Sequence, residues 1–234
     1  MNGPRQFRQY RFTPAPAACE ILLVRHGESA PLQDGQPFPL VDGHGDPPLH
    51  DPVGFEQAEQ VADRLVATGE RIAAVYVTTL TRTKQTAAPL LERLGLEAIV
   101  EPDLREVFLG EWEGGLLRQK VVEGDPIATA MYEQERWDLI PGAESPEALR
   151  TRVTAGIGRI AAAHPDQLVV AVVHGGVINE VMNIATGTTG FRFNGADNAS
   201  IHHIVVDGDR WIVRCFNDTG HLSPTFSTAP EPMT

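Results

Sequence analysis

The sequence predicts an α/β protein, a three-layer α/β/α sandwich with a mostly parallel central sheet. Short apolar runs alternate along the chain with segments of helical period. Most of these runs are apolar throughout rather than alternating, as expected of strands covered on both faces. The last two are joined by Gly208-Asp209, a two-residue hairpin signal.

Ile21–Arg25 reads as the first strand, followed by a Pro-, Gly- and Asp-rich loop from Ser29 to Gly54. From Phe55 to Ala67 one face collects Phe55, Ala58, Val61, Ala62, Leu65 and Val66, which predicts a helix. Ile72–Thr78 is a second buried strand. The stretch "TRTKQTAAPLLERLG" predicts a helix closed by Gly95, with Pro89 inside as a candidate kink. "EAIVE" is a short third strand. Residues 103 to 142 are the least regular, apart from a helical "PIATAMYEQERW". Ser145 is a natural N-cap, with Pro146 in the first turn, for the helix reaching His164. Gln167–Val173 is a strongly apolar strand, "HGGVINEVMNIATG" a turn and helix, and "ASIHHIVVD" and "RWIVRCF" the closing hairpin. A single domain over residues 19–222 is expected, with lid segments at 30–52 and 107–142. A flexible arm (1–18) precedes it and a Pro-rich disordered tail (223–234) follows.

Bulk properties exclude several function classes. The 19 basic and 31 acidic residues give a net charge of −12, against a nucleic-acid binder. No apolar run approaches membrane-span length, and the basic N-terminus lacks a secretory core, so a cytoplasmic protein is expected. Cys19 and Cys215 suggest two reduced thiols and no structural zinc.

In open α/β sheets, ligands bind beyond the carboxyl ends of the strands. Arg25 and His26 follow the first predicted strand, Arg82 the second, Glu106 the third, and His174, Gly175 and Gly176 the fourth. One such residue is usually structural, but five chemical side chains at successive strand ends converge on one rim. Arginine forks suit phosphate oxygens, and glycines opening a helix let backbone N–H groups approach an anion. A neutral imidazole can attack phosphorus, and a protonated carboxyl can release a leaving alkoxide. Together these groups describe phosphoryl transfer through a phosphohistidine.

The ordered blocks "LVRHGES", "TTLTRTKQTAAPL", "LREVFLGEWEGG", "PGAESPEALRTRV", "VVHGGVI" and "FNDTGHL" resemble those of the histidine phosphatase superfamily, over about residues 20–222. The resemblance implies a phosphoglycerate mutase-like fold. It makes His26 the nucleophile, Arg25, Arg82 and His174 the phosphoryl clamp, and Glu106 the proton donor. It places Ser29 and Gly175 at the phosphate, and implies no metal and no cofactor. Gly27 is expected to let phosphate approach a tight turn, and Glu28 to orient a neighbouring arginine or histidine.

The chain departs from the family in "SAPLQDGQPFPLVDGHGDPPL", which lacks the usual asparagine and the arginine-glycine element; "DPPL", Gly54 and "QA" remain. His44, His50 and the loop aspartates match no compact metal set. Glu111, Trp112, Trp137 and the loop from 30 to 52 are expected to roof the pocket, with Trp112 packing the lid. Glu144 and Ser145 either touch the site or start a helix. The short separation of Glu106 from His174 and the short tail suit a phosphatase acting on a small phosphorylated metabolite. The alternatives are a phosphoglycerate mutase or a catalytically weak phospho-ligand-binding member. A homodimer through an exposed strand edge is a further expectation. Surrounding cations favour a neutral His26, so alkyl phosphates should be hydrolysed best below neutrality, where Glu106 carries its proton.

Overall fold

The computed structural model describes residues 6–223. Six strands form one sheet: β1 (Cys19–Arg25), β4 (Ile72–Val77), β5 (Ala98–Val100), β6 (Leu168–Val173), β7 (Ile201–Asp207) and β8 (Arg210–Asp218). The strand order is β5-β4-β6-β1-β7-β8. The first four are mutually parallel, β7 runs antiparallel to β1, and β8 runs antiparallel to β7. The hairpin turns at Gly208 with φ +57°, in the left-handed region that glycine tolerates. Two further strands, β2 (Leu40–Val41) and β3 (His44–Gly45), pair within the first lid segment.

Helices cover both faces. Alternate residues of each strand point to opposite sides, so Ile21, Leu23, Val169, Ala171 and Val173 pack under α5 (Pro146–Ala163) and α6 (Gly175–Thr186). Val24, Val75, Val77, Val170 and Val172 pack under α1 (Val53–Ala67) and α2 (Thr81–Leu94). This double burial explains why the strands lack polar alternation. Helix α2 runs as one element through Pro89 and ends at Gly95, φ +63°. Ser145 caps α5, its Oγ accepting from the Ala148 N–H at 3.2 Å.

The irregular segment holds two helices, α3 (Leu116–Val122) and α4 (Pro126–Gln134). Only the second was signalled by its sequence. With Trp112, Ala128, Met131 and Ile140 they enclose a small satellite core beside the main body. The expected arm has no helix or strand between residues 6 and 17, although Arg214 lies 4.0 Å over the Phe12 ring. Residues 1–5 and 224–234, including nearly all of the expected tail, lie outside the described residues. Among the described residues, no helix is long and apolar enough to cross a membrane.

Register places the strand ends together. Arg25 pairs with Val173 across β1 and β6, and Val77 with Val172 across β4 and β6. The residues that follow, His26, His174 and Thr78, therefore leave the sheet side by side.

Candidate active site

His26 is buried, and its two ring nitrogens have distinct partners. Nδ1 lies 2.7 Å from the Gly27 carbonyl, which can only accept, so Nδ1 carries the proton. Nε2 then has the lone pair and accepts from Arg82 Nε at 3.2 Å. Burial holds the imidazole pKa well below its usual value, and the charges of Arg82 and Arg25 add to the effect. The ring is neutral with its free pair on Nε2.

The backbone around it is fixed by close packing. A Cβ on Gly27 would lie 2.5 Å from the Gly54 carbonyl oxygen, and one on Gly54 would lie 2.2 Å from that of Glu28. Gly27 is therefore required by the start of α1. Thr86 Oγ1 accepts from the Gly27 N–H, and Gln57 Oε1 from the Glu28 N–H. The surviving family residues Gly54 and Gln57 thus serve the turn that carries His26. Glu28 engages His50 Nδ1 at 2.8 Å, orienting a histidine as expected.

Arg82 is buried, donates from Nη1 to the Gly45 carbonyl at 3.0 Å, and lies 3.8 Å from Asp46. Burial lowers its pKa to about 10, so it stays charged at neutral pH. Asp46 also accepts from the Thr81 N–H and hydroxyl at the first turn of α2. The rebuilt loop therefore supports Arg82 through Gly45 and Asp46. Arg25 reaches the Ala196 carbonyl with Nη1, while its buried Nε has no partner among the described residues.

His174 is fully buried, its ring centroid 5.2 Å from that of His26. Its Nε2 lies 3.0 Å from Thr78 Oγ1. Thr78 Oγ1 also lies 3.1 Å from Thr83 Oγ1 and accepts from the Leu80 N–H. The Nδ1 of His174 is buried and has no partner among the described residues. Burial and the neighbouring Arg82 push this pKa well down too.

Glu106 follows the short turn after β5. Its Oε1 accepts from the Val107 N–H at 2.9 Å and the Gly176 N–H at 3.1 Å, and its Oε2 lies 3.5 Å from the same Gly176 N–H. The Gly176 N–H, expected to face an anion, is thus directed at Glu106. Arg152 fastens this segment from α5, donating to the carbonyls of Asp103, Arg105 and Glu106 and to Glu144. Glu144 holds the Phe108 N–H as well, so it braces the acid-bearing turn.

The site opens into a cavity of about 310 Å³, whose lining does not include the fully buried His174. Arg25, His26, Ser29, Arg82, Glu106 and Gly175 line it, opposite an apolar wall that includes Phe38, Val121, Tyr132 and Trp137. Trp137 roofs it as expected. Trp112 reaches it while packing the satellite core, and Glu111 is exposed and outside its lining. His44 lines the cavity with its ring against Phe108. Among the described residues, no group of three His, Cys, Asp or Glu side chains could hold a metal ion.

Two site residues escaped the sequence reading. Asn198 donates from Nδ2 to the His26 carbonyl at 2.9 Å. Arg118, on α3, donates to Ser29 Oγ at 2.7 Å and to the Ala30 carbonyl at 2.8 Å. Nothing in "GADNAS" or "GGLLRQKVV" marks either; their roles come from tertiary placement.

Residues 21–219 match the family model described as histidine phosphatase superfamily, branch 1. The chain belongs to the histidine phosphatase superfamily. Superfamily relatives include phosphoglycerate mutase-like protein 4 of Arabidopsis thaliana, 34% identical over 211 residues, covering 88% of each chain. Another is the metal-independent phosphoserine phosphatase of the same plant, 32% identical over 208 residues, covering 87% of this chain and 83% of that one. The solved structure of a mycobacterial glucosyl-3-phosphoglycerate phosphatase superposes with a TM-score of 0.69 at 25% identity, covering 86% of this chain and 99% of that one. These likenesses support the histidine-phosphatase, phosphoglycerate mutase-like fold expected from the ordered motifs.

Proposed function

We propose that this protein is a metal-independent phosphomonoesterase that works through a phosphohistidine at His26. The observation that carries the reading is the tautomer of His26: a buried neutral imidazole whose Nε2 lone pair faces the cavity beside Arg82. Bound phosphate would accept from Arg82 Nε in place of that lone pair, from the orphaned Arg25 Nε, and from His174 in the tautomer that carries its proton on the unpartnered Nδ1.

Nε2 attacks phosphorus and forms the N–P bond while the P–O bond to the alcohol breaks. Glu106 gives its Oε2 proton to the departing oxygen. Water then attacks the phosphohistidine, and the Glu106 carboxylate takes a proton from it. The N–P bond breaks, and inorganic phosphate and the neutral imidazole are regenerated. The arginines and His174 hold the phosphoryl oxygens through both steps, where charge stabilisation contributes most. Nothing in the sequence of steps calls for a metal.

Phosphatase-named relatives support hydrolysis over mutase chemistry. The test is a phosphate-release assay across a panel of metabolite phosphomonoesters in chelator, with His26→Ala as control. Hydrolysis lost in the variant supports the proposal. Efficient isomerisation of 3-phosphoglycerate without hydrolysis of any ester would replace it with the mutase reading.

A further inference from the structure

Arg118 is unlike the other arginines that α3 and its neighbours could have supplied. It enters the cavity half-buried, from the lid rather than from a strand end. Its two hydrogen bonds go to a hydroxyl and a carbonyl, and among the described residues it has no carboxylate at ion-pair distance. Arg150 and Arg152 each have one, and Arg159 has two. Three of its five N–H groups remain for a ligand. The Phe38 ring, 5.2 Å from the guanidinium carbon, helps fix the plane of the fork.

Its location matters as much as its free donors. Ser29 and Ala30 directly follow the nucleophile turn, and the next residues, Pro31 and Leu32, offer the cavity no polar side chain. Because Ser29 Oγ accepts from Arg118, the Ser29 hydroxyl proton is free to go to a further acceptor on the same side. Arg118, Arg25 and Arg82 also lie close enough for their charges to oppose one another. Three cations converging on one neutral imidazole are stabilised together by a dianion among them.

We propose that Arg118 is a third arginine ligand of the substrate's phosphoryl group, delivered by the lid helix and acting beside Ser29. The inference rests on the phosphatase reading only for its kinetic consequences; the anion site itself can be measured without turnover. Calorimetric titration of inorganic phosphate into the wild-type protein, Arg118→Met and Arg118→Lys tests it directly. The expected result is a Kd about ten- to a hundredfold weaker in Arg118→Met and an intermediate value in Arg118→Lys, with thermal unfolding close to wild type. In parallel, phenyl phosphate and 4-carboxyphenyl phosphate should lose kcat/KM by the same factor. Unchanged phosphate affinity in both variants overturns the inference. So does a loss confined to the carboxylated ester, which would assign Arg118 to a second acidic group of the substrate. If Arg118→Met does not fold, the Arg118→Lys titration decides by the same criterion. Phosphate binding weakened in the variants, in a protein that hydrolyses no ester, would uphold this inference and remove the phosphatase reading instead.

Discussion

Gly176→Ala isolates the acid half of the mechanism. A Cβ at this position would lie 2.4 Å from Val107 Cγ2 and 2.7 Å from Glu106 Oε1. Ordinary carbon contacts begin near 3.5 Å, so one or both neighbours must retreat by roughly 1 Å. Val107 is buried and its branched side chain is stiff, which directs much of the displacement onto the Glu106 carboxyl. A shift of about 1 Å in a catalytic group costs on the order of a hundredfold in rate. Overpacking should also remove about 1–3 kcal/mol of stability, measurable by urea titration. The assay compares kcat for an alkyl phosphate, whose alkoxide needs a proton to leave, with 4-nitrophenyl phosphate, whose phenolate does not. The alkyl ester should lose about a hundredfold and the aryl ester much less. Equal losses on both esters, or no loss on either, would refute the assignment of Glu106 as the acid held against Gly176.

Other consequences follow from the same contacts. Arg152→Met removes the fork that holds the carbonyls of Asp103, Arg105 and Glu106; about 2–4 kcal/mol of stability should go, together with alkyl-ester turnover, as read by denaturant unfolding and steady-state kinetics. Asp46→Ala takes away the acceptor at the start of α2 and the carboxylate beside Arg82, so stability should fall by about 1–2 kcal/mol and KM should rise. Burial lowers the folded-state pKa of His26, of His174 and, to about 3, of His202. Below pH 6.5 the unfolded chain binds protons that the folded one refuses. Stability is therefore full above that pH and falls as pH drops, by up to about 1.4 kcal/mol per pH unit for each histidine. Urea unfolding at pH 7, 6 and 5.5 checks the slope; a flat profile would show that these rings are not held neutral.

The rim of the site was legible because strand ends carry it. Uninterrupted apolar runs located β1, β4 and β6, and the polar residues immediately after them became Arg25, His26, Thr78 and His174. Glycines were harder to read. Gly27 and Gly54 look like turn residues in sequence, but each is small because the other's segment passes against it. Helix α3 was invisible for a physical reason: it has seven residues, no side-chain N-cap, and two left-handed glycines before it. Such a helix is stable only through packing, so its local sequence does not announce it. Arg118 and the Val121 part of the apolar wall were therefore missed, and Asn198 lies in a loop with no periodicity. The loop from 30 to 52 read as a departure from the family. In the structure it instead supports Arg82 through Gly45 and Asp46.

The central claim is a covalent bond between His26 and phosphorus. Rapid acid-free quenching of the protein with a 32P-labelled phosphomonoester, followed by peptide mapping, measures it directly. An acid-labile, base-stable label on Nε2 of His26, absent from His26→Ala, is expected. Turnover of the ester with no label on His26, or a label on another residue that survives in His26→Ala, would contradict it.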